Sequence, residues 1–130
     1  MKRFFVGFTV LVTVCCLTGN ANGAELIREF TGSGSKTTAE FEVRAPWIVD
    51  WRTRGDYPGQ MAVEVNLLTP SGEFVGKIAM TKYVDNGVRL MDEGGRYVLQ
   101  VNSSLAEWTL RVEQLTREEA KTYTPKEKIE

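Results

Sequence analysis

The chain has no histidine and only two cysteines among its 130 residues. Those two, Cys15 and Cys16, are adjacent and lie in an apolar N-terminal stretch. Beyond that stretch there is neither thiol nor imidazole. Thiol catalysis, a disulfide staple, a Cys/His zinc site and a histidine-based triad or general base are therefore excluded there. An excess of one charge is missing too: 16 Lys+Arg stand against 17 Asp+Glu. That balance lacks the basic face that nucleic acid and anionic membrane surfaces call for. The length leaves room for one small domain, with no separate catalytic and regulatory units.

What is present begins with an address. Lys2 and Arg3 form a basic start, Phe4 to Leu17 an apolar middle, and Gly19 to Ala24 a small-residue exit. This order is the pattern of a secretory signal peptide. Cleavage after Gly23 places Ala21 at the third position before the break, whereas cleavage after Ala24 would place the larger Asn22 there, so residues 1–23 are the expected leader. An uncleaved anchor fits less well, because the run is shorter than the roughly 20 apolar residues of a membrane span and is diluted by Gly7, Thr9 and Thr13. The residues before Cys15 and Cys16 lack the lead of a lipid-attachment site. Removal of residues 1–23 leaves 107 residues, 14 of them basic and 17 acidic. No second apolar run approaches spanning length, so the mature chain is expected to have no membrane span and to reside in the periplasm or outside the cell. A domain of this size buries about two thirds of its unfolded surface, enough for one core without disulfides.

Turn signals then recur at short spacing: Gly32 to Ser35, Gly55 to Gly59, Pro70-Ser71-Gly72, Asp85-Asn86-Gly87 and Gly94-Gly95. Between them apolar and polar residues alternate, as in Trp47, Val49 and Trp51 or Trp108, Leu110 and Val112. A period of two is the mark of a sheet with one buried face. About eight strands are predicted, near 26–31, 37–44, 47–54, 60–68, 73–83, 87–91, 96–102 and 107–114. Their number and spacing point to an all-β fold, a jelly-roll-like antiparallel β-sandwich over residues 24–115. Asn86-Gly87 reads as a tight hairpin turn and Pro70-Ser71-Gly72 as a second. Residues 116–130 form a charged tail with balanced signs, with one helical turn conceivable around Arg117 to Lys121.

The succession Phe30-Thr31-Gly32-Ser33-Gly34, Thr37-Thr38, Phe41, Pro46-Trp47-Ile48-Val49-Asp50-Trp51, Gly94 to Val101 and Trp108-x-Leu110-x-Val112 resembles small bacterial exported β-sandwich domains of the pre-peptidase C-terminal and CUB-like type. The resemblance covers most of residues 26–114. It implies a binding or accessory unit that accompanies exported enzymes or stands alone in the cell envelope. The Asp-rich strand of such domains is replaced here by Val63-Glu64-Val65-Asn66-Leu67, so no calcium role carries over.

Several groups of residues are candidate sites. Trp47 and Trp51 share one strand face and would make an aromatic platform for sugar rings; the competing reading puts them in the core, with Trp108 packing on them from the other sheet. Gly32-Ser33-Gly34-Ser35-Lys36-Thr37 is not a phosphate loop, because Ser35 stands where glycine is needed before the lysine and a strand pattern follows. Asp85, Asn86, Asp92 and Glu93 could offer oxygen ligands to calcium but lack the spacing of a calcium loop. Asp50 and Asp56 are the least implausible pair for a hydrolase working on carboxylates alone. Asn102-Ser103-Ser104 fits the glycosylation pattern and reads as a polar turn. No catalytic, cofactor or metal residues are assigned. The expectation is a non-catalytic domain that binds a protein partner in the envelope, through a sheet edge for instance, with a carbohydrate module on Trp47 and Trp51 as the alternative.

Overall fold

The computed structural model describes residues 24–123. The expected signal peptide, with both cysteines, and the chain end from residue 124 lie outside the described residues. The strands are β1 (Glu25–Ser33), β2 (Lys36–Thr37), β3 (Phe41–Val43), β4 (Trp47–Arg54), β5 (Ala62–Leu68), β6 (Phe74–Thr81), β7 (Asn86–Met91), β8 (Gly95–Ser104) and β9 (Glu107–Gln114). A single helical turn, α1 (Arg117–Ala120), follows them.

The pairing is nested. β1 runs antiparallel to β9, β2 and β3 to β8, β4 to β7, and β5 to β6. The chain is therefore one long antiparallel hairpin with its tip at the β5–β6 turn. Two more pairings, β4 with β9 and β5 with β8, roll that hairpin into two sheets. One sheet reads β1-β9-β4-β7 and the other β2-β8-β5-β6, with β3 also paired to β8. This is the strand order of a jelly roll, the sandwich architecture that the alternation implies.

Alternation also decides which side chains fill the interior. Trp47 and Val49 on β4 and Trp108, Leu110 and Val112 on β9 come from the first sheet, and all are buried. Facing them are Phe41 and Val43 on β3, Val63, Val65 and Leu67 on β5, and Tyr97, Leu99 and Val101 on β8, also buried. Burial of each large apolar side chain is worth about 1.5–3 kcal/mol relative to exposure. An aromatic cluster joins the layers: Phe41 meets Trp47 edge-on at 5.7 Å, and Tyr97 stacks on Trp47 at 5.5 Å. Such ring pairs contribute about 0.5–1.5 kcal/mol beyond their area.

The structure corrects the sequence reading at three places. There are nine strands, because the expected 37–44 strand is interrupted at Thr38, whose backbone N–H donates to the Leu99 carbonyl and whose hydroxyl accepts from the Leu99 N–H. Asn86 and Gly87 do not turn a hairpin; they open β7, with Gly87 opposite Trp51. The glycine is there for space, since a Cβ would lie 2.6 Å from the Trp51 ring. Trp108 does not come from the other sheet: β9 is the neighbour of β4, and Trp108 is paired with Thr53. Its indole N–H donates to the Gly34 carbonyl at 2.9 Å. The helical turn conceived around Arg117 to Lys121 is present as α1, capped by the Thr116 hydroxyl, which accepts from the Glu119 N–H, and by the Glu119 carboxylate, which accepts from the Thr116 N–H. The hairpin at Pro70-Ser71-Gly72 is as read: Gly72 donates to the Thr69 carbonyl at 2.9 Å and takes φ +100, a value suited to glycine.

Two outcomes follow for stability. A Cβ at Gly32 would meet the Trp108 ring at 2.7 Å, whereas one at Gly76 meets nothing within 4 Å. Gly32→Ala is expected to destabilise by about 1–3 kcal/mol, and Gly76→Ala to cost nothing; urea midpoints compare the two. The second concerns Tyr97, whose hydroxyl lies 3.1 Å from the Glu93 carbonyl that it donates to. Burial, and secondarily the Glu93 carboxylate, push this phenol above its ordinary value of 10.0. A native pKa raised in this way gives stability that is complete below the unfolded value and is lost as pH climbs through the folded one. Unfolding free energy should therefore decline above about pH 10, and Tyr97→Phe should flatten that decline while costing about 1 kcal/mol at neutral pH.

Candidate functional site at the open end

Nested pairing sends the connections alternately to the two ends of the sandwich. At one end lie the β1–β2 turn (34–35), the β4–β5 loop (55–61), the β6–β7 loop (82–85) and the β8–β9 turn (105–106). All four contribute to one cleft of about 710 Å3, lined by Gly34, Arg54, Asp56, Tyr57, Val84, Leu105, Ala106 and Glu107 among others. A second cleft of about 550 Å3 shares Arg54 and Val84 with it and continues over the outer face of the first sheet, past Arg52, Arg111, Glu29 and Asp85.

Buried Thr53 and a set of main-chain bonds hold the loops. Thr53, which points inward on β4, donates its hydroxyl to the Tyr83 carbonyl at 2.7 Å and accepts from the Asp85 N–H at 3.0 Å. Gly59 donates to the Lys82 carbonyl at 2.8 Å, tying the β4–β5 loop to the β6–β7 loop. Gln60 and Met61 both donate to the Tyr57 carbonyl, which fixes the turn that carries that ring. The Ser103 N–H donates to the Ser35 hydroxyl and so ties the β1–β2 turn to the end of β8.

On this fixed backbone, large apolar side chains point outward. Tyr57 is 53% exposed, Tyr83 58%, Val84 57% and Leu105 56%. Leu105 also takes φ 59, the left-handed region that leucine occupies at a cost of about 1–2 kcal/mol. Charged groups rim the cleft. Arg54 pairs with Glu107 at 3.0 Å, and Arg111 contacts Glu113 at 3.1 Å and Glu29 at 3.4 Å. The hydrogen bond to Glu113 leads the interactions that raise the Arg111 pKa above its ordinary value.

The residues singled out from sequence fall elsewhere or apart. Trp47 is fully buried, and its indole N–H donates to the Glu93 carbonyl at 2.9 Å. Trp51 is half-buried and packed against the core, its ring laid over Gly87. Together they form no open platform. Asp50 lies on the outer face beside Arg52, at 3.5 Å, whereas Asp56 belongs to the open-end cleft. Asp85 and Asn86 stand at the start of β7 and Asp92 and Glu93 just beyond its end, so the strand keeps the supposed calcium ligands apart. Among the described residues there is no group of three or more His, Cys, Asp or Glu that could hold a metal ion. Nor is any helix among them long and apolar enough to cross a membrane. Asn102 is exposed on β8, not in a turn. Tyr57, Tyr83, Val84 and Leu105 were not picked out from sequence; their only signal was an apolar residue inside or beside a turn.

The free sheet edges offer less. β1 has a register shift between Leu26 and Arg28, and the Arg28 guanidinium donates to the Ile27 carbonyl at 3.0 Å. The β2–β3 edge is broken at residues 38–40. β6 is shifted in register twice, and β7 carries Arg89 on its inner side. Each of these features discourages addition of a further strand.

No model of a known protein family and no curated protein sequence matches the chain.

If the Leu105 side chain is not needed for folding, replacing it with glycine relieves the left-handed backbone. Leu105→Gly should leave the thermal midpoint unchanged or raise it by the equivalent of up to about 1 kcal/mol, whereas β-branched Leu105→Val should lower it by a similar amount. A clear loss of stability in the glycine variant would show that this leucine serves packing.

Proposed function

We propose that the chain is an exported, non-catalytic binding module of the periplasm or extracellular space, cysteine-free after loss of residues 1–23, which grips a protein partner of the envelope or another secreted protein through its open end. One observation carries this reading: large apolar side chains from the β4–β5, β6–β7 and β8–β9 connections are exposed together around one cleft. Tyrosine and arginine are residues that protein interfaces favour. Loops braced by a rigid sandwich are also the usual carriers of binding residues. The interrupted edges turn the balance away from strand addition. The accessory role implied by the resemblance to exported sandwich domains points the same way. A sugar-binding reading loses its basis in Trp47 and Trp51, because one ring is enclosed and the other half-covered.

The test uses the full chain in cells that produce it, with a photo-crosslinking residue placed at Tyr57, at Leu105 or, as a control, at exposed Glu42. The expected result is a covalent adduct with one protein from the two open-end positions and none from position 42. The double variant Tyr57→Ser/Leu105→Ser should keep the native circular dichroism spectrum and lower capture at least about tenfold, the effect of losing contacts worth more than about 1.4 kcal/mol together. Absence of an adduct from both open-end positions overturns the reading. Retention on envelope polysaccharide without an adduct replaces it by sugar binding at Tyr57 and Tyr83.

A further inference from the structure

The margin where β6 and β7 lie side by side combines two features that oppose each other. β6 is a free edge strand of eight residues, and Phe74 and Met80 on it are 64% and 65% exposed, with Val75 exposed between them. An exposed apolar edge of this kind is a template for pairing with another chain. β7, the free edge of the other sheet, has Gly87, Arg89 and Met91 on the side opposite Trp51, Val49 and Trp47. That is the inner side, since Val49 and Trp47 are fully buried there. An arginine in this row is out of keeping with the apolar pattern of the other inner positions. Its guanidinium crosses from one sheet to the other and donates to the Lys77 carbonyl, in the middle of β6, at 3.1 Å.

We propose that Arg89 is a guard that keeps the β6 edge from pairing with a second copy of this chain. The inference is independent of the open-end reading and uses none of its residues. An incoming strand along β6 would have to compete for the Lys77 carbonyl. It would also strip water from a cation that is exposed in the single chain, and burial of a charge without a partner is strongly unfavourable. The apolar groups at both ends of β6 supply the attraction, and Arg89 supplies the penalty that outweighs it. An inward-pointing charge on an edge is a recognised way of keeping sheets from joining. At the opposite margin no such charge is needed, because Phe30 of β1 packs on Phe41 of β3 at 6.2 Å and closes the seam with rings.

Sedimentation velocity on the purified chain over a wide concentration range tests this. The wild type should stay monomeric, and Arg89→Val should form dimers or larger species. Adding Met80→Lys to Arg89→Val should restore the monomer, which places the contact on β6. Arg96→Ala, which removes an exposed arginine at the opposite margin beside Glu40 and Glu42, should remain monomeric. A monomeric Arg89→Val with native circular dichroism overturns the proposal, as does equal association of Arg96→Ala or a wild type already dimeric. If Arg89→Val does not fold, Arg89→Gln takes its place, and the same outcomes decide.

Discussion

The sandwich depends on passing its chain from one sheet to the other without stranding backbone groups, and the passage from β3 to β4 rests on one carboxamide. Gln114, buried at the end of β9, accepts from the Arg44 N–H at 2.9 Å and donates to the Arg44 and Pro46 carbonyls at 2.6 and 2.9 Å. The next residue, Leu115, donates its own N–H to Pro46. A crossing segment has no ladder to satisfy it, and each buried group left unpaired would cost about 1–3 kcal/mol. Gln114 answers three of these groups at once. Because β9 pairs with both β1 and β4, the same residue locks the crossing to the two strands that must lie beside it.

The second crossing at that end, from β7 to β8, is fastened by the core itself. Trp47 and Tyr97 stack in the interior and donate their polar tips to the Glu93 carbonyl. Gly94 lies so close to the first crossing that a Cβ would meet the Val43 carbonyl oxygen at 2.8 Å. The two crossings are packed on each other, and each is held by a side chain whose apolar part is already buried. Hydrophobic packing and backbone satisfaction are therefore one arrangement here, which is how a sandwich without a described disulfide keeps a single register.

The sequence conveys much of this and misses a definable part. Period-two alternation identified the inner rows of β4, β5, β8 and β9, because each strand buries one face. The β5–β6 hairpin was legible because its turn is local. Gly87 was misread because its cause is distant: it makes room for the ring of Trp51 on the adjacent strand. Trp108 was placed in the wrong sheet for a similar reason, since neighbours in a nested roll are far apart in sequence. The open end was invisible for the same cause. Gly34, Tyr57, Val84 and Leu105 lie in four separate turns, and only the rolled hairpin brings those turns together.

The two ends of the molecule share one device and differ in what else they expose. At the end that holds the β3–β4 and β7–β8 connections, Trp47, Tyr97 and Gln114 turn inward and spend their polar atoms on the backbone. At the open end buried Trp108 does the same for Gly34, joined by Thr53, by Ser35 and by main-chain bonds such as Gly59 to Lys82. Few of the exposed side chains there are needed for that work. None of these bonds uses the side chain of Tyr57, Val84 or Leu105; they run through backbone atoms, the buried Thr53 hydroxyl and the exposed Ser35 hydroxyl. Leu105 is the sharpest instance, since its backbone favours glycine while more than half of the residue is exposed. The proposed partner contact would account for a leucine kept at a position whose backbone favours glycine.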